Sequence, residues 1–588
     1  MGVFTGTAGD DTLVGTSVSD VLQGLEGNDR LDAGAGPDSL YDGAGNDTVL
    51  GGAGLDTLYA GTGADVIDGG SGDEPGAIGG TIYGDAYDAS AVTVPLAIDL
   101  AVATAQDTGL GQKTIANIEI VVGGAAADAL AGSSAAEELK GGAGDDTLDG
   151  RAGSDLLEGG AGRDSLSGGD GDDYLYGGGG IREALAHDDG GNALSGGAGN
   201  DHLTAGGAGD TLQGGDGDDY LGSGVAGGAY LTGEAGADTL IGTLSDFRLD
   251  GGDGNDHIQV GPLSVPVDPD FVRRLPVASG GDGDDSFAVS FLNGDHIVLD
   301  GGAGTDRLSV GTSYDKAAST VFTIHLDGEQ PGAGVFASGV EVLDGDWART
   351  DVFGSTAAET LAGGSWDDTL RGGAGDDSLT GDGIAGYTFG GNDQLFGDAG
   401  NDTIADAYGS NYLRGGDGDD SMSGGSGFDD VHGNAGNDTE HGGAGDDWVV
   451  GGKDNDSLFG DAGGDIVYGN LGDDTLDGGD GADIVRGGQA NDVLTGGAGD
   501  DFMSGDRGAD TFSGGAGADL FHTFGDAGLD RVLDFHASEG DRVMLDPGTQ
   551  YSVAQVGADT VISMTGGATM VLAGVQLDSL PPGWIFGA

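Results

Sequence analysis

In the last third of the chain, apolar side chains recur at every ninth position. The series runs Leu395, Ile404, Leu413, Met422, Val431, Val449, Leu458, Val467, Leu476, Val485, Leu494, Met503, Phe512 and Phe521, and Glu440 alone breaks it. Two residues before each slot stands an acid or an amide: Asp393, Asp402, Asn411, Asp420, Asp429, Asp438, Asp447, Asp456, Asp465, Asp474, Asp483, Asp492, Asp501, Asp510 and Asp519. Glycines fill the start of each unit, which reads Gly-Gly-x-Gly-x-Asp-x-U-x with U apolar. Glycine admits the positive φ of a tight turn, and x-U-x alternates outward, inward, outward as a short strand requires. One inward side chain per unit makes no core alone. Stacked units make one, since each inward residue then lies on its neighbours above and below. Two units close one coil of eighteen residues, so the spacing predicts a parallel β-roll with successive units alternating between two sheets.

The same ladder opens the chain at Asp11, Asp20, Asp29, Asp38, Asp47, Asp56 and Asp65, with Leu13, Leu22, Leu31, Leu40, Val49, Leu58 and Ile67 inside. A third run holds Asp128, Glu137, Asp146, Asp155, Asp164 and Asp173. Less regular units carry Asp201, Asp219, Asp256, Asp285 and Asp306, and Asp368 and Asp377 precede the long run. The chain therefore divides into a roll over 1–73, a β-strand insert over 74–122, a roll over 123–176, irregular repeats with loops over 177–309, a second insert over 310–345, the long roll over 346–522, and a cap over 523–588. The fold class is all-β. The inserts are expected to be short β-arms that rejoin the coil, because Asn117-Ile-Glu-Ile-Val in one echoes Gly339-Val-Glu-Val-Leu in the other. The proline-rich stretch 261–279 reads as a surface loop. Glu440 and Asn411 mark weak rungs.

Charge adds a ligand to this picture. The chain carries 102 acidic and 19 basic side chains, a net charge of −83, with 132 glycines and no cysteine. Loops eighteen residues apart stack, and stacked carboxylates repel unless a cation lies between them. Calcium takes six to eight oxygens from carboxylates and carbonyls, which is what an Asp in a Gly-rich turn offers; magnesium demands a stricter octahedron. Histidines out of register and the missing cysteines speak against zinc or copper. The expected calcium ligands are the thirty-two aspartates at 11, 20, 29, 38, 47, 56, 65, 146, 155, 164, 173, 201, 219, 256, 285, 306, 368, 377, 393, 402, 420, 429, 438, 447, 456, 465, 474, 483, 492, 501, 510 and 519. On the order of thirty ions would neutralise most of the excess charge.

The units GGAGDDTLD at 141–149 and GGDGDDYLY at 168–176 resemble the RTX (repeats-in-toxin) nonapeptides of proteins exported by Gram-negative type I secretion. That resemblance implies parallel β-rolls built around calcium. The tail, with DRVLDFHASEGDRVMLDPG and a terminal WIFGA, resembles the targeting region of such proteins and can also cap the last coil. It implies an extracellular or cell-surface location and contact with the secretion machinery during export. The start has neither basic nor apolar character of a Sec signal, and no run reaches a membrane span. Acidity argues against nucleic acid. No His-Glu-x-x-His, Gly-x-Ser-x-Gly or Walker motif is present, so no catalytic residue is expected.

Three functions remain open. The first is a structural subunit of a surface layer, filament or adhesive coat that self-associates or meets a surface glycan or protein. The second is a carbohydrate-active or other enzyme with its site on the roll or an insert. The third is a soluble bacteriocin-like effector. With the first unit beginning at Gly6, the leading coil is expected to present a free strand edge to another chain.

Overall fold

A computed structural model of the chain is a parallel β-solenoid with almost no helix. It describes residues 1–587 apart from 72–82, 179–189, 225–227, 244–245, 247, 262–276, 292–295, 313–320, 327–333, 341, 346–348 and 383–389, so the proline-rich loop lies almost wholly outside the described residues. The chain forms two compact units, Met1–Val289 with Ile297–Asp306, and Ser290–His296 with Arg307–Ala588.

In the second unit each strand pairs in parallel with the strand two units later, in a register of eighteen residues over the long run. One inward row runs Leu361, Leu379, Ile404, Met422, Glu440, Leu458, Leu476, Leu494, Phe512. The facing row runs Leu395, Leu413, Val431, Val449, Val467, Val485, Met503, Phe521. The apolar members of both rows are at most 1% exposed, each stabilising by roughly 1.5–3 kcal/mol through burial. Glu440 keeps its rung but is fully buried, and burial beside Asp438 and Asp456 pushes its carboxyl well above the ordinary range.

The tail caps this roll. Tyr551–Val556, Asp559–Met564 and Thr569–Leu572 form an antiparallel meander, joined in parallel to Leu529–Val532. Phe535 lies between Phe521 of the last regular unit and Trp584, with ring centroids 5.9 and 6.2 Å away. Ile562, Met570 and Leu572 complete the buried wall.

In the first unit the insert does not project as an arm. Ala86–Asp88 and Ile120–Val122 enter one sheet as ordinary rungs, so the row Leu22, Leu40, Leu58, Tyr87, Val121, Leu139, Leu157 runs unbroken. On the opposite face Gln112–Ala116 pairs in parallel with Asp65–Gly70 and antiparallel with Gln106–Asp107, the edge strand of a six-stranded sheet, while Ala97–Asp99 starts a new one against Ala129–Ala131. The expected arm is a pair of rungs because its alternating apolar residues match the inward slots of the coil. In the second unit Val321–His325 likewise pairs in parallel with Arg349–Phe353, and Val342–Gly345 with Thr360–Gly364.

Coil spacing fixes the glycines. At Gly481 (φ 152°) an added Cβ would stand 1.3 Å from the carbonyl oxygen of Gly463 in the preceding coil. Where the second glycine of a unit is replaced, the left-handed backbone persists, as at Asp461 (φ 70°) and Asn470 (φ 76°), residue types that tolerate it best. Gly464, by contrast, faces nothing nearer than 3.5 Å and has no positive φ. Gly481→Ala is therefore expected to destabilise the folded chain by roughly 2–5 kcal/mol, and Gly464→Ala by less than about 1 kcal/mol. Thermal melts in calcium check the contrast, and equal midpoints would refute the coil spacing.

Candidate metal centres

Each repeat aspartate turns inward at the end of its glycine turn and is held there by the neighbouring coil. The backbone N–H of Asp456 donates to Oδ1 of Asp474 at 2.9 Å, that of Asp474 to Asp492, and that of Asp492 to Asp510. The same bond, from one residue to the acid of the following coil, links Glu359, Asp377, Asp402, Asp420, Asp438 and Asp456. On the other edge it links Thr350, Asp368, Asp393, Asn411, Asp429, Asp447, Asp465, Asp483, Asp501, Asp519 and then Asp541 in the cap. In the first unit it joins Asp11, Asp29, Asp47 and Asp65; Asp20, Asp38, Asp56 and Asp85; and Asp128, Asp146, Asp164, Asn192 and Asp210. A fourth column there runs Glu137, Asp155, Asp173, Asp201, Asp219, Asp238, Asp256, Asp285 and Asp306.

One oxygen of each carboxylate is thus spent on the ladder. The other, Oδ2, is buried and meets no hydrogen-bond donor at Asp29, Asp38, Asp47, Asp56, Asp146, Asp155, Asp173, Asp201, Asp219, Asp256 and Asp285. The same holds in the second unit at Asp368, Asp377, Asp393, Asp402, Asp420, Asp429, Asp438, Asp447, Asp456, Asp465, Asp474, Asp483, Asp492, Asp501, Asp510 and Asp519. Where a unit opens on glycine, as in the run from Gly433 to Gly514, Oδ2 points at that first glycine. A Cβ on Gly469 would lie 2.3 Å from Asp474 Oδ2 and 2.6 Å from the carbonyl oxygen of Gly487, so only hydrogen leaves that oxygen-lined place open. A buried charged oxygen without a partner costs several kcal/mol, against a whole-domain stability of about 5–15 kcal/mol. So many of them require a cation or a proton. The donor set of carboxylate and carbonyl oxygens, with no sulfur or imidazole, fits calcium.

Desolvation acts on these acids before any other influence. It pushes the carboxyls of Asp56, Asp146 and Asp420 up to about 7 and those of Asp155, Asp456 and Asp510 up to about 8.

Three expected ligands stand apart. Oδ2 of Asp11 accepts from Thr7 and that of Asp20 from Thr16. Oδ2 of Asp65 is taken by Nζ of the fully buried Lys113, beside Asp42 and Asp47. At that rung the insert supplies its own ammonium. Acids outside the expected set also join: Asp128, Glu137, Asp210, Asp238, Glu359 and Asp541 lie on the columns, and Asp42 and Asp406 occupy the first-glycine slot. Asp238 was detectable, since GEAGADTLI keeps the repeat with one glycine changed. A second, exposed ladder went unread at the position before the repeat acid. There the N–H of Asp473 donates to Asn455 Oδ1, that of Asn491 to Asp473, and that of Ala509 to Asn491. The recurrent Asn or Asp at that position is its signal.

The family model of the "RTX calcium-binding nonapeptide repeat (4 copies)" matches residues 5–40, 41–73, 122–157, 131–166, 149–181, 188–221, 223–258, 353–383, 387–405, 406–440, 441–476, 461–494, 477–512, 486–521 and 495–531, more than half of the chain. No curated protein matches it. Among solved structures, the extracellular lipase LipA from Serratia marcescens is similar at 18% identity, over 63% of this chain and 45% of the lipase, with a TM-score of 0.12. The chain thus spans less than half of that lipase.

Two outcomes are expected. Asp474→Ala should raise the calcium concentration needed for β-structure severalfold, whereas Thr475→Ala, at an outward position, should leave it unchanged; circular dichroism during calcium titration reads both. Acid behaviour should reverse with the metal. Because the folded carboxyls titrate above the unfolded value near 3.8, the metal-free fold holds extra protons between about pH 4 and 8, and its stability rises as pH falls through that window. In EDTA the β-signal should therefore grow from pH 8 to pH 5, while in calcium the midpoint concentration should rise over the same range as protons compete. A β-signal in EDTA that stays flat across that range would count against burial of the acids.

Proposed function

The chain belongs to the RTX calcium-binding nonapeptide-repeat family, and on that premise we propose that it is a secreted structural protein of the bacterial cell surface or extracellular matrix. It folds on meeting extracellular calcium and then assembles. The observation that carries this reading is the succession of donor-less buried carboxylate oxygens along the described coils. Where calcium is scarce, 102 acidic side chains against 19 basic ones oppose folding and favour an extended, exportable chain. Where calcium is plentiful, binding energy becomes folding energy, because the unfolded chain holds the metal poorly. Among the described residues no helix is long and apolar enough to cross a membrane.

Assembly is supported by an outward stripe on the second unit. Trp448, Ile466, Ile484, Phe502 and Leu520 stack in register on one sheet face, in a column bounded by Asp430 before them and Arg542 after. Trp448 is 41% and Ile484 37% exposed. A continuous apolar strip on a sheet face favours a partner surface. It follows the outward position of alternate units, so it can be read from the sequence once the faces are known.

Purified protein in millimolar calcium should form ordered multimers visible by light scattering and electron microscopy, and EDTA should disperse them. The double variant Trp448→Thr/Ile484→Thr should fold in calcium yet assemble less. A monodisperse monomer throughout millimolar calcium and high protein concentration would sink the structural role while leaving calcium binding intact.

A further inference from the structure

From Asp368 to Asp541, Asn411 is the one rung of its column that holds no acid. Its Oδ1 still accepts the Asp393 N–H at 3.0 Å, but its Nδ2 donates to the carbonyl oxygens of Tyr408 and Gly424 at 3.0 and 3.2 Å. The carbonyl of Gly424 corresponds to that of Gly487 beside Asp474, so at this rung an amide fills the place of a cation. The lost carboxylate reappears five residues earlier. Asp406 occupies the first-glycine slot of the same unit, and Asp382 follows Gly381 in the interrupted unit that leads to Asp393, one coil earlier.

Three carboxylates then converge. Asp382 Oδ2 accepts the Tyr408 N–H, Asp406 Oδ1 accepts that of Ala407, and Asp393 Oδ1 accepts that of Asp368. The remaining oxygens, Asp382 Oδ1, Asp393 Oδ2 and Asp406 Oδ2, are buried and meet no donor. One ligand oxygen from each of the three acids lies within 4.8 Å of the others. Asp393 is 1% and Asp406 5% exposed. Glycines line the place: a Cβ on Gly381 would lie 2.1 Å from Asp406 Oδ2 and 2.5 Å from Asp393 Oδ2, and one on Gly390 2.1 Å from Asp382 Oδ1. Burial and the neighbouring carboxylates hold Asp406 far above its ordinary range. The comparable cluster of Asp42, Asp47 and Asp65 has Lys113 inside it, whereas no basic side chain pairs with this one among the described residues.

We propose that Asp382, Asp393 and Asp406 form an off-register calcium site, tighter than those of the regular rungs, that replaces the site closed by Asn411. Three free carboxylate oxygens converge here, whereas a regular rung such as that of Asp474 sets one beside a backbone carbonyl, and charge count tunes calcium affinity. The inference rests on the reading that the repeat carboxylates take calcium. The competing arrangement is a proton shared among the three acids.

Chelator-competition titration of the full chain with calcium alone separates these. The wild-type protein should show one step at least tenfold tighter than the rest. Asp406→Asn should abolish that step and lower the stoichiometry by one, while Asp474→Asn, in a regular rung, should keep it. Should Asp406→Asn fail to fold, Asp406→Gly with Asn411→Asp rebuilds the repeat consensus and should lose the tight step while binding the same total. Persistence of the tight step in either variant, or a single affinity class in the wild type, overturns the site without touching the general reading. A wild-type chain that binds no calcium overturns both.

Discussion

A carboxylate oxygen buried without a donor is the constraint on which the rest of the structure depends. The backbone ladder holds Oδ1 and aims Oδ2 into the turn, so each coil creates a debt of charge that its own atoms do not settle. Glycine at the first position keeps a path of oxygen atoms open, and glycine at the fourth lets adjacent coils approach until carbonyl and Cα nearly touch. The apolar core is two facing rows, with one side chain from each unit. It sets the register but is too thin to oppose repulsion among so many acids, and folding is accordingly tied to an external cation.

The irregular rungs show the same rule answered in other ways. Lys113 brings an ammonium from 48 residues away, Thr7 and Thr16 bring hydroxyls, and Asn411 brings an amide. Glu440 is the costliest departure, a carboxyl placed in the apolar row itself. Its strand still pairs with Met422 on one side and Leu458 on the other, so backbone register survives the loss of one apolar side chain.

Much of this was legible in the sequence because the period is rigid. The nine-residue spacing set the two sheets, the inward rows and the columns of buried acids, and the aromatic tail announced a cap. Where the spacing breaks, the reading failed. The strand Gln112–Ala116 shows an alternation that fits an arm or a rung equally well, and only its pairing with Asp65–Gly70 decides between them. Lys113 next to Asp65, and Asp406 next to Asp382, are contacts across inserted residues, for which the repeat gives no register. The exposed ladder at Asn455, Asp473 and Asn491 was missed for a different reason: its residue type varies between Asn and Asp, so it looks like an ordinary polar surface.

The first insert carries one inward row straight through, from Leu58 to Tyr87 to Val121, while the opposite sheet ends in the hairpin of Gln106–Asp107 and Gln112–Ala116 and a new sheet starts at Ala97–Asp99. Fraying of a solenoid spreads from coil to coil through shared edges. Here one edge continues as paired strands. Among the described residues the other is bridged only by the Ala97 N–H to the Thr108 carbonyl and by the Gln106 side chain to the Asp99 backbone, so melting that starts at the N-terminal coils meets a weaker joint at the insert. Cooperativity in a solenoid is carried by coil-to-coil interfaces, so this seam is where the first unit is least tightly coupled along its length.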